Sequence, residues 1–283
     1  MQSPKLIEGL SEIADRYDAL LCDAWGVIHN GVEIFDGVPE ALIAFREKFG
    51  PVVILTNAPR PSTIIPGQLD RLGMPRAAWD DIATSGDATR AAIEEYLPKP
   101  AYRLGPGKDD PLFEDLPIEF TDLEEAGFII CTGLKDELRE EPESYRPFFE
   151  RAVALGLPMV CANPDIVVNW GGRIIWCAGA LAQIYEELGG HVVYGGKPYA
   201  PIYDLAIKRI DAIRKRPTDR ARILAIGDGL KTDIAGANAQ GLDVLFVGGA
   251  GGIHQGEFTA EAVSAQLSKA GLTAIGAMAG LRW

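Results

Sequence analysis

Ala19-Leu20-Leu21-Cys22 is a short apolar run that stops abruptly at Asp23, and the same pattern returns along the chain. Val52-Val53-Ile54-Leu55 stops at Thr56-Asn57, and Val192-Val193-Tyr194 stops at Gly195-Gly196-Lys197. Ile223-Leu224-Ala225-Ile226 stops at Gly227-Asp228, and Val244-Leu245-Phe246-Val247 at Gly248-Gly249. Runs this short and continuous fit strands buried on both faces, as in a parallel sheet. Helical patterns lie between them. One covers 39–49 and is closed by Gly50; another covers 61–72 and is closed by Gly73. A third starts near Pro198 with Ile202, Leu205, Ala206 and Ile210 at helical spacing, and a fourth spans 232–240 before Gly241. Strands alternating with helices imply crossover connections, and hence a doubly wound α/β parallel sheet. Ligands collect at the carboxyl ends of such strands, where Asp23, Thr56, Asn57, Lys197 and Asp228 fall.

The stretch from about residue 101 to 190 reads as a separate unit. It follows the break Pro98-Lys99-Pro100 and has its own strand candidates at 101–104, 128–131 and 158–162. Helical patterns at 145–155 and 178–188 accompany them. The expected organisation is a core built from 1–98 and 191–283, with 99–190 inserted as a smaller α/β domain.

Composition narrows the function. The 283 residues carry 27 basic and 40 acidic side chains, a net charge of −13. That balance argues against a nucleic-acid partner, since little here would replace the counterions of a phosphate backbone. It leaves room for a small phosphorylated ligand in a local cationic pocket. No apolar run approaches the ~20 residues of a membrane span. The first seventeen residues lack a secretory apolar segment, and Cys22, Cys131, Cys161 and Cys177 form no Cys-x-x-Cys pair. We therefore expect a cytoplasmic protein with reduced thiols and no membrane partner.

An Asp after a buried strand is most often a turn or helix-capping residue, so each strand end is weak evidence alone. Together they suggest phosphoryl chemistry. Asp23 is placed to be a nucleophile. Thr56 and the adjacent amides would hold phosphate oxygens, and Lys197 would neutralise charge on the phosphoryl group and on Asp23. Asp228 would help hold Mg²⁺, which prefers oxygen ligands. Asp233, in the first turn of the expected helix, reads as a metal ligand, as a residue behind the ligands, or as a complement to the helix dipole.

The four segments Asp23-Ala24-Trp25-Gly26-Val27, Leu55-Thr56-Asn57, Gly195-Gly196-Lys197-Pro198 and Gly227-Asp228-Gly229-Leu230-Lys231-Thr232-Asp233-Ile234 resemble the motifs of the haloacid dehalogenase superfamily. The insert is similar to the large α/β cap of its class IIA branch, the p-nitrophenyl phosphatase-like and pyridoxal-phosphate or nucleotide phosphatases. Asn163-Pro164-Asp165 matches a segment of those caps, and Asp81 to Leu97 resembles the strand and helix that precede them. The resemblance implies a Rossmann-like core with a mobile cap, a Mg²⁺ cofactor and an aspartyl phosphate on Asp23. It also implies phosphate contacts from Thr56, Asn57 and Lys197, and metal contacts from Asp23, Asp228, Asp233 and the Trp25 carbonyl. Asn163 and Asp165 would face substrate from the cap, and a homodimer through the cap fits the same pattern. The implied substrate is a small phosphorylated metabolite.

One position departs from the pattern. Phosphatases of the superfamily usually carry an Asp two residues after the nucleophile as general acid and base, and here that residue is Trp25. Loss of such a group typically costs about 10²–10⁴-fold. His29, with an unperturbed pKa of about 6.5, and Asp165 are the candidates to replace it. Three readings follow: a phosphatase; a catalytically impaired phospho-ligand binding protein; and a hydrolytic dehalogenase, which tolerates an aromatic residue there but leaves Asp228 and Asp233 without a purpose. His191 and His254 lack any motif context. Gly248 to Gly252 does not fit Gly-x-Gly-x-x-Gly, because His254 occupies the last position, and reads as a loop at the active edge. Trp170 and Trp176 read as insert core or a dimer surface rather than a substrate slot.

Overall fold

A computed structural model describes residues 4–248 and 258–283. The glycine loop beyond Gly248 and His254 lie outside the described residues. The chain opens with strands β1 (Lys5–Leu6) and β2 (Ala19–Cys22), helix α1 (Val38–Lys48), β3 (Val52–Thr56), α2 (Ile65–Leu72) and β4 (Asp81–Thr84). Helix α3 (Ser85–Glu94) leads into β5 (Ala101–Leu104), β6 (Phe128–Cys131), α4 (Arg146–Ala154) and β7 (Met159–Cys161). A hairpin of β8 (Val167–Trp170) and β9 (Arg173–Trp176) precedes α5 (Ala178–Glu187) and β10 (Val192–Tyr194). The return leg is α6 (Ala200–Arg214), β11 (Ile223–Gly227), α7 (Ala235–Ala239), β12 (Asp243–Val247), α8 (Ala260–Ala270) and β13 (Gly276–Met278).

Seven parallel strands make the larger sheet, in the order β1-β13-β12-β11-β2-β3-β4. Its strands are apolar throughout because both faces are covered. Leu20 and Cys22 of β2 point into one layer with Leu42 and Phe45 of α1 and Leu69 of α2. Ala19 and Leu21 point into the other, with Ile202, Ala206 and Ile210 of α6 and Val263 and Leu267 of α8. This is the doubly wound α/β arrangement expected from the alternation of runs and helices. From β2 the chain winds towards β4; from β11 it winds the opposite way. The winding direction therefore changes between β2 and β11, where a crevice opens at the strand ends.

Four parallel strands, β10-β7-β6-β5, make the smaller sheet. Ile129 and Cys131 of β6 face α4 and α5, whereas Phe128 and Ile130 face Ile93 of α3 together with Leu112 and Phe113. Among the described residues no helix is long and apolar enough to cross a membrane.

Three local expectations are corrected. Val192–Tyr194 was expected to feed Lys197 into the core, on the far side of a boundary at 190/191. It pairs instead with β7, from Val192↔Met159 to Tyr194↔Cys161, so the smaller sheet extends past that boundary. Three residues cannot tell one parallel sheet from another by apolarity alone, and β7 offers the free edge. Helix α2 starts at Ile65 rather than residue 61, with Pro66 in its first turn, and ends as expected at Gly73, whose φ of 84° is left-handed. Helix α7 starts at Ala235 rather than 232, because Leu230–Ile234 forms a π-helical turn.

Phe45 is fully buried where α1 meets the larger sheet. Phe45→Ala is expected to destabilise the protein by about 3–5 kcal/mol, since the vacated volume has no side chain to refill it. The measurement is the denaturant midpoint, and an unshifted midpoint would contradict this packing.

Candidate active site

The crevice between β2 and β11 sets the site. The Asp23 amide donates to Ile226 O at 2.9 Å, which continues the β2–β11 ladder one step and brings Asp23 beside Asp228. The chain after Asp23 must then turn tightly. Gly26 does this with φ of 88°, and a Cβ on it would lie 2.2 Å from Asp228 Oδ2. On the other side β3 delivers Thr56, whose Oγ1 accepts from the Ala58 amide at 3.2 Å, and then Asn57.

Lys197 arrives from the smaller sheet, on the connection from β10 to α6. It is only 2% exposed. Its Nζ donates to Asp23 Oδ1 at 2.5 Å, to Asp233 Oδ1 at 2.7 Å and to Leu55 O at 3.1 Å. Asn57 fixes the lysine backbone by accepting from its amide at 2.7 Å and donating to its carbonyl at 3.2 Å. The same Asn57 Nδ2 donates to Asp165 Oδ1 at 2.9 Å. Asn163 Oδ1 in turn accepts from the Asp165 amide at 3.1 Å.

Asp233 lies in the π-helical turn rather than the first turn of α7. The amides of Asp233 and Ile234 both donate to Gly229 O, at 2.9 and 3.0 Å, which widens the turn. Asp233 Oδ2 accepts from the Gly229 amide at 3.1 Å, leaving Oδ1 aimed at Lys197. Such π-turns are frequent at functional sites.

Asp23, Asp228 and Asp233 can present one oxygen each within 4.8 Å of one another, and all three are buried. Burial and Asp233 push the Asp23 and Asp228 carboxyls above the usual carboxylate range. Burial opposes charge on Lys197, but Asp23 and Asp233 outweigh it and hold the ammonium well above its ordinary value. Three buried carboxyl groups share one ammonium, and the strain of keeping them charged shows in the raised Asp23 and Asp228. A hard divalent cation with oxygen ligands fits that donor set.

The other expected residues divide. Asp165 borders this crevice, a cavity of about 40 Å³ that also takes in Trp25, Thr56, Asn57 and Lys197. His29 and Asn163 do not; they line a neighbouring cavity of about 350 Å³. His29 is buried, its Nδ1 accepts from the Gly31 amide at 3.0 Å, and burial pulls its pKa down to about 4. Burial thus favours the neutral imidazole at neutral pH and makes His29 a poorer proton donor than its ordinary pKa suggested.

Trp25 is doing something the sequence did not reveal. Its indole Nε1 donates to Asn169 O in β8 at 2.9 Å, and its ring meets His29 edge-on at 5.2 Å. Trp170, expected in the insert core or at a dimer surface, is 43% exposed and lines the larger cavity. Arg60, Asp109 and Thr132 line it too. No motif or periodicity in the sequence marks those three.

A family model described as haloacid dehalogenase-like hydrolase matches residues 20–118, and a second, described as HAD-hydrolase-like, matches 194–269. The crystal structure of a haloacid dehalogenase-like family hydrolase from Brucella suis 1330 is 41% identical, covering 98% of this chain and 100% of its own, with a TM-score of 0.89. The chain belongs to the haloacid dehalogenase-like hydrolase family. Among its relatives, ribonucleotide monophosphatase NagD of Escherichia coli strain K12 is 28% identical over 240 residues, 81% of this chain and 86% of that enzyme. D-glycerol 3-phosphate phosphatase of Mycobacterium tuberculosis is 26% identical over 254 residues, 84% of this chain and 65% of that enzyme.

The Trp25 indole ties the loop after β2 to the β8–β9 hairpin across 144 residues of chain. Trp25→Phe removes the donor and keeps most of the ring. The expected loss is about 0.5–1.5 kcal/mol, felt as faster amide exchange in residues 167–176; unchanged exchange would mean that the bond does not hold the hairpin.

Proposed function

We propose that this hydrolase is a Mg²⁺-dependent phosphatase of a small phosphorylated metabolite, acting through an aspartyl phosphate on Asp23. The observation that carries the reading is the Lys197 ammonium held between Asp23 and Asp233 inside a buried carboxylate cluster. Asp228 and Asp23 would hold the ion, with the Trp25 carbonyl beside them. Asp233 already accepts from Lys197, Gly229 and Thr232, so we assign it chiefly to orienting Lys197 and the Asp228 turn. When bound, Mg²⁺ supplies positive charge to the phosphoryl oxygens.

The chain's own residues would act as follows. Lys197 favours the ionised form of Asp23, against burial and Asp233, and aims its carboxylate. An Asp23 oxygen forms a bond to phosphorus as the bond to the leaving oxygen breaks, and Thr56 with its neighbouring amides steadies the phosphoryl oxygens. The leaving oxygen takes a proton, and we assign that proton to Asp165. Its carboxyl is pushed up by burial, against the lowering effect of Lys197 and Asn57, so it holds a proton more readily than an exposed Asp. Asp165 then takes a proton back from the water that attacks phosphorus and frees Asp23. His29 is a poorer choice, because burial keeps it neutral. In this reading the smaller sheet and the hairpin act as a cap that excludes water. Hydrolytic dehalogenation would leave the carboxylate cluster without a role.

Asp23→Asn and metal chelation are each expected to abolish turnover of p-nitrophenyl phosphate, and near-native activity in either case would refute the scheme. Asp165→Asn is expected to slow an alkyl phosphate by about 10²–10⁴-fold. It should slow p-nitrophenyl phosphate far less, because p-nitrophenolate leaves without a proton. Equal slowing of both would assign Asp165 to positioning through Asn57 instead.

A further inference from the structure

The insert makes a charged contact with the core that the proposed chemistry does not use. Arg60 lies in the loop between β3 and α2, shortly after Asn57, and Asp109 lies in the 3₁₀ turn Gly107–Phe113 that follows β5. Arg60 Nε stands 3.7 Å from Asp109 Oδ1, and both atoms are shut off from solvent. Apart from the pairs of Lys197 on the connection between the units, every other ion pair among the described residues lies within the core or within the insert. Each partner is held on its own side. Arg60 Nη2 donates to Gln68 Oε1 of α2 at 3.0 Å, and Thr132, at the end of β6, hydrogen-bonds Asp109. Burial pushes Asp109 up to about 6, with Lys108 and Arg60 acting the other way, so it is mostly ionised at neutral pH. A buried ion pair adds little net stability, because desolvation offsets most of the attraction. What it supplies is geometry: in any other seating of the insert, one charge would be buried without the other.

We propose that Arg60 and Asp109 are positioning residues that set the angle of the insert on the core and so bring Asp165 to the leaving oxygen. This rests on the phosphatase reading, with Asp165 as its acid. Asp109, Thr132 and Asp165 follow the carboxyl ends of three neighbouring parallel strands, β5, β6 and β7. The ladders run on past those strands. The Thr132 amide donates to Leu104 O at 2.8 Å, and the Ala162 amide to Cys131 O at 2.9 Å. The Gly179 amide of α5 then donates to Asp165 O at 3.0 Å. A sheet bonded in this way moves as one body, so a displacement of Asp109 is also a displacement of Asp165. On the core side a single loop supplies both partners, Asn57 for Asp165 and Arg60 for Asp109. One contact alone leaves the sheet free to pivot about it, whereas two along the same sheet edge fix its angle. The Trp25 bond does not serve here, because β8 and β9 form a sheet of their own.

The test uses the full chain with Mg²⁺ and two esters, ribose 5-phosphate and p-nitrophenyl phosphate. Arg60→Met should slow ribose 5-phosphate by about 10–100-fold, chiefly in kcat. It should slow p-nitrophenyl phosphate far less, since that leaving group needs no proton. Arg60→Lys, which restores the charge, should recover most of the loss. In an Asp165→Asn background, Arg60→Met should add no further loss on ribose 5-phosphate, because the group it positions is gone. Amide exchange at Asn163, Asp165 and Ile166 should be faster in Arg60→Met and return to normal in Arg60→Lys, which reads the seating without turnover. If the wild-type protein hydrolyses neither ester, the phosphatase reading fails and exchange alone decides the seating. If Arg60→Met does not fold by thermal melting, Asp109→Asn decides by the same pattern, since it removes the charge and keeps a polar group for Thr132. Equal slowing of both esters, a loss that adds in full to that of Asp165→Asn, or unchanged exchange at the three amides would overturn the proposal.

Discussion

Lys197 is the one cation among the described residues lining the small crevice, and the arrangement around it depends on that charge. Asp23, Asp228, Asp233 and Asp165 all border the same space. Buried carboxylates without a counter-charge protonate or move apart. One ammonium donating to two of them, and to the Leu55 carbonyl at the end of β3, keeps them together. It is shared among several carboxyl groups, and that oxygen donor set is what makes the crevice suited to a divalent ion. The chain that supplies Lys197 comes off the edge of the smaller sheet, so the two sheets are joined at the chemistry itself.

Asn57 transmits this coupling. Through one side chain it grips the Lys197 backbone from both sides and holds Asp165, which follows β7 of the smaller sheet. A residue expected to touch phosphate thus also registers the insert on the core. Trp25 makes a second tie from the core, to the β8–β9 hairpin. Trp25 therefore acts as a strut between the loop after β2 and the hairpin. Asp165, which borders the same crevice, belongs to the insert. Its presence there depends on how the insert sits, and Asn57 holds it in place.

The family relationship and the α/β architecture were legible because their signals are local. A continuous apolar run covered on both faces reads as a buried parallel strand wherever it occurs, and a polar residue at its end lies on the ligand edge by geometry. Asp23, Thr56, Asn57 and Asp228 could therefore be chosen from the sequence. Short elements were less legible. The three residues of β10 carry no mark of which sheet they join, and the π-helical turn before α7 looks in sequence like the first turn of an ordinary helix.

By itself, then, the sequence determined the alternation of the main apolar strands with helices and the residues at the strand ends, both of which follow from patterns a few residues long. Only the tertiary structure decided which groups meet. Lys197 and Asp23 are 174 residues apart in the chain, Trp25 and Asn169 are 144 apart, and Arg60 and Asp109 belong to different sheets' surroundings. Partners so distant are chosen by packing and by the cost of burying charge, and neither leaves a trace in local composition.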